Sequence, residues 1–252
     1  MKSKFVFIKT LAALFCASVF VFGQNDVKSE TKIINGIECI LVKAGTFMMG
    51  ASDNESGQND EYPRHKVTLT KDFYIGKYLI TQAQYKKIMG KEPSFFKGDN
   101  LPVERVSWHD AVAFCKKVGG RLPTEAEWEF AARGGNKSKG YIYSGSNNIN
   151  EVAWYSNNSG GTTRVVGTKA PNELGTHGMS GNVWEWCNDW YSFYPEVPVS
   201  DPKGPIRGTF RVIRGGSWSS FARVGLRNAI RDYILPNLSS QYWGFRVVFD
   251  AN

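Results

Sequence analysis

Gly120-Arg121-Leu122-Pro123-Thr124-Glu125-Ala126-Glu127-Trp128-Glu129 is the run whose reading decides the fold of this 252-residue chain. Thr124 with Glu127 three residues on forms a capping box, Pro123 sits at the helix start, and the acids fall in the first turn, where the positive end of the helix dipole favours them. The run therefore predicts a helix that carries Trp128, Phe130 and Ala131 as far as Gly134-Gly135, with Arg121 and Arg133 placed either to pair with its acids or to touch a ligand. Two earlier helices carry the same kind of signal. Thr81 with Gln84 opens one whose inner face holds Tyr85, Ile88 and Met89. Ser107, with Asp110 at the third helical position, opens the other, which runs through Ala111, Val112, Phe114, Cys115 and Val118 to Gly119-Gly120.

Around these helices the chain reads as short strands and turns. Ile37 to Val42, followed by Gly45-Thr46-Phe47-Met48-Met49-Gly50, predicts a strand closed by a glycine turn, and Ser52 to Tyr62 predicts a loop. Val67-Thr68-Leu69 and Phe73-Tyr74-Ile75 predict two more strands about Lys71-Asp72. Trp184-Glu185-Trp186 predicts core aromatics, large rings substituting for scarce secondary structure. Twenty-six glycines and ten prolines make the chain turn-rich, while 42% hydrophobic and 14% aromatic residues suffice for the core of one large domain.

Six separated motifs occur in an order that resembles the sulfatase-modifying-factor family. They are Gly45 to Gly50, Pro102-Val103-Glu104-Arg105-Val106-Ser107-Trp108, the Gly120 to Glu129 run, Gly181-Asn182-Val183-Trp184-Glu185-Trp186, Arg214-Gly215-Gly216-Ser217-Trp218 and Gly244-Phe245-Arg246. The resemblance spans about Leu41 to Phe249 and implies an α+β, C-type-lectin-like fold of the formylglycine-generating-enzyme type. Such a fold has little regular secondary structure, small twisted antiparallel sheets and a few helices.

The chemistry that the resemblance implies is the part this sequence departs from. Formylglycine-generating members oxidise a substrate cysteine with oxygen, using two copper-binding cysteines a few residues beyond the Gly-Gly-Ser-aromatic motif. Here Ser220 and Gly225 stand near those positions and no cysteine follows Cys187. Copper(I) calls for soft thiolates, so the expectation is a protein without that oxidase activity and without catalytic residues. The iron-dependent sulfoxide-forming members carry metal histidines partly in an extra helical domain for which this chain has no room, and it holds only His65, His109 and His177. No nucleophile-elbow motif supports a Ser-His-Asp site. Some members bind calcium through a segment ending in Asn-x-Trp-Glu. Glu185 with the carbonyls of Gly181 and Val183 matches it, while Gly178 replaces an expected oxygen ligand, which leaves a weak calcium candidate and otherwise no cofactor.

Between Ser219 and Ser240 there is no Lys, Glu, Gln, Met or Trp, the residue types that cannot be reached by changing the adenines of an asparagine codon. With its Gly-Gly-Ser-Trp start and Gly-Phe-Arg-Val-Val end, this arrangement is similar to the treponemal type of variable protein, which a retroelement diversifies. The resemblance implies a variable ligand-binding segment over 219–243, displaying Ser219, Ser220, Phe221, Arg223, Val224, Ile230, Asp232, Tyr233, Ile234, Leu238, Ser239, Tyr242 and Trp243. No helix or strand period fits these residues. Arg227, Arg231 and Arg246 would hold the backbone and face away from ligand.

Met1-Lys2-Ser3-Lys4, an apolar run from Phe5 to Phe22 and Gly23-Gln24 read as an export signal. Two processing schemes remain open: cleavage of a signal peptide over 1–23, or a lipoprotein signal ending before a lipid-bearing Cys16. Residues 24–35 then form a tether and 36–252 the domain. The expected location is the cell surface or outer membrane, with contact to membrane only through the N-terminal anchor. The net charge of +8 is dispersed among acids, so nucleic acid is not an expected partner, and a protein or other surface ligand is. Cys39, Cys115 and Cys187 lack Cys-x-x-Cys spacing, and Cys115 and Cys187 are expected as small buried hydrophobes. A family oxidoreductase and a structural cell-envelope subunit are the alternative readings.

Overall fold

A computed structural model of the chain describes residues 30–53, 55–221 and 225–251. The export signal, Cys16, Arg223 and Val224 lie outside the described residues. In chain order the strands are β1 (Thr31–Ile34), β2 (Ile37–Val42), β3 (Gly45–Met49), β4 (His65–Leu69), β5 (Phe73–Gly76), β6 (Trp184–Trp190), β7 (Val199–Ser200), β8 (Arg211–Arg214), β9 (Arg231–Ile234), β10 (Trp243–Gly244) and β11 (Val248–Asp250). The helices are α1 (Gln82–Met89), α2 (Trp108–Lys117), α3 (Glu125–Ala132) and α4 (Ile149–Val152). Thr81, Ser107 and Thr124 cap the first three helices, each accepting from the backbone N–H three residues on and each completing a reciprocal capping box.

Three small sheets result, in the orders β1-β2-β5-β11, β10-β6-β8-β9 and β3-β4-β7. The first is purely antiparallel, as expected, while the other two are mixed, because β10 runs parallel to β6 and β7 parallel to β4. Beyond its exposed edge strand β1, the first sheet is buried on both faces, and the alternation along β2 shows why. Ile37 and Cys39 face a cluster with Tyr85, Phe114, Trp186 and Phe245, while Ile40 and Val42 face Trp128 and Phe130 of α3. A third cluster gathers Tyr143, Val152, Tyr155 and Leu226.

Several details differ from the sequence reading. Thr31–Ile34 pair with β2, so the folded domain reaches into the expected 24–35 tether. Ile37–Val42 and Gly45–Met49 are two strands in different sheets, and so are β4 and β5, because the intervening turns carry the chain from one layer to the next. Trp184 to Trp190 is a strand, not an irregular cluster; Trp186 is fully buried and donates its Nε1–H to the Val106 carbonyl at 3.0 Å, whereas Trp184 is only half-buried. Arg231–Ile234 is likewise a strand inside the segment for which no period was legible. All three described cysteines are free and buried, and burial pushes the Cys39 thiol up to about 12 and the Cys115 and Cys187 thiols upward as well. Among the described residues no helix is long and apolar enough to cross a membrane.

Candidate ligand-binding face

The segment 219–243 begins where β8 ends in Gly215-Gly216. Both glycines have positive φ, and a Cβ on Gly216 would lie 2.1 Å from the Gly225 carbonyl oxygen, so the chain passes here only without a side chain. Ser217 and Ser220 then close a tight turn: the Ser220 N–H donates to the Ser217 carbonyl and the Ser217 N–H donates to Ser220 Oγ, both at 3.0 Å. Trp218 stacks on Tyr242 with ring centroids 5.1 Å apart, meets Phe96 edge-on at 5.4 Å and donates its Nε1–H to the Gln241 carbonyl.

Four buried arginines fix the backbone of this region by reaching acids far away in sequence. Arg227 grips both oxygens of Glu61 at 2.6 Å, and Arg231 grips both oxygens of Glu125 at 2.8 and 2.7 Å. Arg214, on the neighbouring strand, bridges Glu125 at 2.7 Å and Glu129 at 2.5 Å and also donates to the Asn228 carbonyl. Arg246 grips both oxygens of Glu185 at 2.6 and 2.8 Å. Paired planar forks of this kind combine charge with fixed orientation, and burial leaves them little screening by solvent. Arg133 and Arg214 together hold the buried Glu129 carboxyl below the usual carboxylate range against the opposing effect of burial.

The thirteen residues expected on a display surface separate into distinct groups. Phe221 is 82% exposed, and Asp232, Tyr233, Leu238 and Ser239 are also exposed. Ser219, Ser220, Ile234, Tyr242 and Trp243 are half-buried. Ile230 corrects the expectation: it is 2% exposed, because its place between Ala229 and Arg231 turns it into the interior. Arg223 and Val224 fall outside the described residues. Nor do the remainder make one continuous patch. Tyr233 on β9 and Trp243 on β10 sit at opposite edges of a four-stranded sheet, three strand spacings or about 14 Å apart. Each edge is extended by aromatics that lie outside the segment. Tyr233 packs on Tyr191 at 4.1 Å and Phe210 at 5.1 Å, while Trp218 and Tyr242 join Phe96 and the exposed Phe95. These neighbours carry no local signal of their role, since only the strand pairing brings them to the segment.

The geometry also tests the implied metals. An ideal Cβ built on Gly225 lies 3.3 Å from Ser220 Cβ, so the two positions do face each other as a pair of thiols would. The groups present are a hydroxyl that already accepts from a backbone N–H and a hydrogen atom, neither of which suits copper(I). At the calcium candidate the Arg246 guanidinium holds both Glu185 oxygens, so a positive charge stands beside that carboxylate. Among the described residues no cluster of three His, Cys, Asp or Glu could hold a metal.

Comparison with known proteins agrees with this architecture. Residues 23–251 match the model of the sulfatase-modifying factor enzyme 1-like domain. The chain is 35% identical over 268 residues to the chaperone protein LppX of Paenibacillus barcinonensis, covering 84% of this chain and 89% of that protein. It is 38% identical over 191 residues to the formylglycine-generating enzyme of Streptomyces coelicolor, covering 69% of this chain and 60% of the enzyme. Among solved structures it is similar to Treponema denticola variable protein 1, with a TM-score of 0.78, 29% identity and coverage of 88% of this chain and 99% of that one.

Proposed function

Since the chain belongs to the sulfatase-modifying factor enzyme 1-like family, we propose that it is a ligand-binding member that presents side chains of 219–243 on the family's C-type-lectin-like scaffold. It does so at the cell surface and without the family's copper-dependent cysteine oxidation. The observation that carries this reading is the division of labour within the segment. Arg227 and Arg231 turn inward and clamp the backbone, whereas Phe221, Asp232, Tyr233 and Leu238 reach solvent. Exposed aromatics held on a rigid frame are effective anchors for recognition because little conformational freedom is lost on binding. Ser220 and Gly225, facing each other without a thiol, support the absence of the oxidase step. The similarity to a protein named as a chaperone over nearly its whole length supports a protein as the ligand.

Two measurements test this reading. Copper-treated protein incubated with a cysteine-containing sulfatase peptide should yield no formylglycine, and turnover would end the scaffold reading. Replacing Phe221, Asp232, Tyr233, Leu238 and Ser239 together should leave a cooperatively folding protein, because exposed positions rarely shift stability by more than about 0.5 kcal/mol each. If that variant is unfolded at room temperature, the segment is core and the display surface does not exist.

A further inference from the structure

Strand β6 carries Glu185, Cys187 and Asp189 as alternate, buried residues. Glu185 is used by Arg246, but Asp189 has no such partner. Its Oδ2 accepts the Glu125 N–H at the start of α3, at 3.0 Å, while Oδ1 accepts no hydrogen bond among the described residues. The side chain is 4% exposed and lines a cavity of about 400 Å³ between α3, the end of β6 and the 192–204 loop.

We propose that this cavity is a binding site for an alkylammonium group, a primary amine cation on an aliphatic stem, with Asp189 as its counter-ion. The glutamate and the arginines around Asp189 are held by partners of their own. Glu125 is fully engaged: Arg231 holds both its oxygens, and Arg214 and Tyr194 donate to Oε1. Arg231 directs Nη1 to the carbonyls of Asp60 and Ser192 and forms no ion pair with Asp189. Arg211, across the strand, is sandwiched between Trp108 and Trp190 and bonded to the Asn188 carbonyl. Lys203 stands exposed at the mouth. Asp189 Oδ1 is thus left without an ion-pair or hydrogen-bond partner among the described residues, facing a cavity whose polar lining also includes the buried His65, and a cationic ligand would complete its pairing. Burial and the neighbouring Glu125 hold the Asp189 carboxyl well above the usual carboxylate range, as they should in the absence of that ligand.

The shape of the site selects among cations. A guanidinium fork needs two acceptors side by side, and Asp189 offers one free oxygen, which suits the point charge of an ammonium. A divalent metal needs several hard oxygens and far less room. The walls supply what an alkyl stem and its charge would use: Met49 and Val199 are apolar, and Trp190, Phe193 and Tyr194 present aromatic rings. The volume falls in the range of small-molecule sites.

The site does not involve the exposed residues of 219–243, so it stands or falls independently of the display surface. Titration calorimetry on the full domain would use Nα-acetyl-lysine methylamide, cadaverine and the uncharged isostere Nα-acetyl-norleucine methylamide. At least one of the two cations should bind about tenfold or more tightly than the isostere, the magnitude of one charged hydrogen bond. A preference for the lysine derivative would identify the source as a protein side chain, and a preference for cadaverine a free polyamine. Asp189→Asn, which keeps an acceptor for the Glu125 N–H, should remove the advantage of the cations. Phe193→Ala alters a wall residue that is 76% exposed and should weaken cation binding several-fold in a protein of unchanged thermal stability. Equal binding of cation and isostere, no binding of either cation, or full affinity in a folded Phe193→Ala variant overturns the proposal.

Discussion

At the scale of single residues, buried charge makes the strongest demands. Among the described residues Arg227 alone pairs with Glu61, so Arg227→Ala leaves a fully buried carboxylate without that partner and should cost about 3–5 kcal/mol. Arg231→Ala should cost about 3 kcal/mol, the lower end of that range, because Glu125 keeps Arg214. Urea unfolding of the two variants beside wild type checks both size and order, and equal, small losses would show that the clamps contribute nothing to folding. Glu104 presents the opposite case. Among the described residues it is buried without an ion-pair partner, its Oε1 accepts the Phe96 N–H at 2.8 Å and its Oε2 has no hydrogen-bond partner, and burial raises its pKa against the lowering effect of Arg105 and Lys97. The folded state therefore holds the proton more tightly than the unfolded chain, whose glutamates titrate at about pH 4.3. This contribution to stability is complete below that pH and is lost as the pH rises through the folded-state value. Thermal midpoints measured from pH 4 to pH 7 should accordingly fall less steeply, or rise more, in Glu104→Gln than in wild type; parallel profiles would refute this.

At the scale of elements, what the sequence made legible was local. Thr81 with Gln84, Ser107 with Asp110 and Thr124 with Glu127 are reciprocal partners three residues apart, and each marks its helix within a residue of the observed start. The Arg121 and Arg133 pairs with Glu127 and Glu129 were legible for the same reason. The clamps from Arg214 and Arg231 to α3 cross more than eighty residues, and nothing near either partner announces them. β6 was obscured by its composition: three tryptophans mask an alternation in which the acids, not the rings, occupy one inward face. The candidate face was legible as a segment but not as a shape, because only the pairing of β9 with β8 and β10 with β6 sends Tyr233 and Trp243 to opposite sheet edges. One energetic expectation changes with the strand in view. Trp186→Ala, which empties a fully buried site and orphans the Val106 carbonyl, should lose about 3–5 kcal/mol, while Trp184→Ala at its half-buried neighbour should lose clearly less. Thermal unfolding of the pair would show a reversed order if the strand were turned over.

For the molecule as a whole, the sheet order sets where the chain becomes a closed body. β10 pairs with β6 across nearly sixty residues, and β11 returns to β5 across more than one hundred and seventy. Phe245 and Val247 also lie in the cluster around Trp186 and Phe114. A chain stopped after Tyr242 should therefore be open to protease along its length instead of retaining a folded first half, and a resistant fragment covering α1 to α3 would contradict this. Such dependence on distant pairings slows folding, since loop closure is completed before the contacts that reward it. On the ribosome the same geometry has a temporal meaning. While the strands from Trp243 to Asp250 are still inside the exit tunnel, some two hundred residues of apolar and clamped-charge sequence wait outside without a finished core. Quality control thus meets this domain all at once, and a defect between Trp243 and Asp250 is read by the cell as a defect in every part of it.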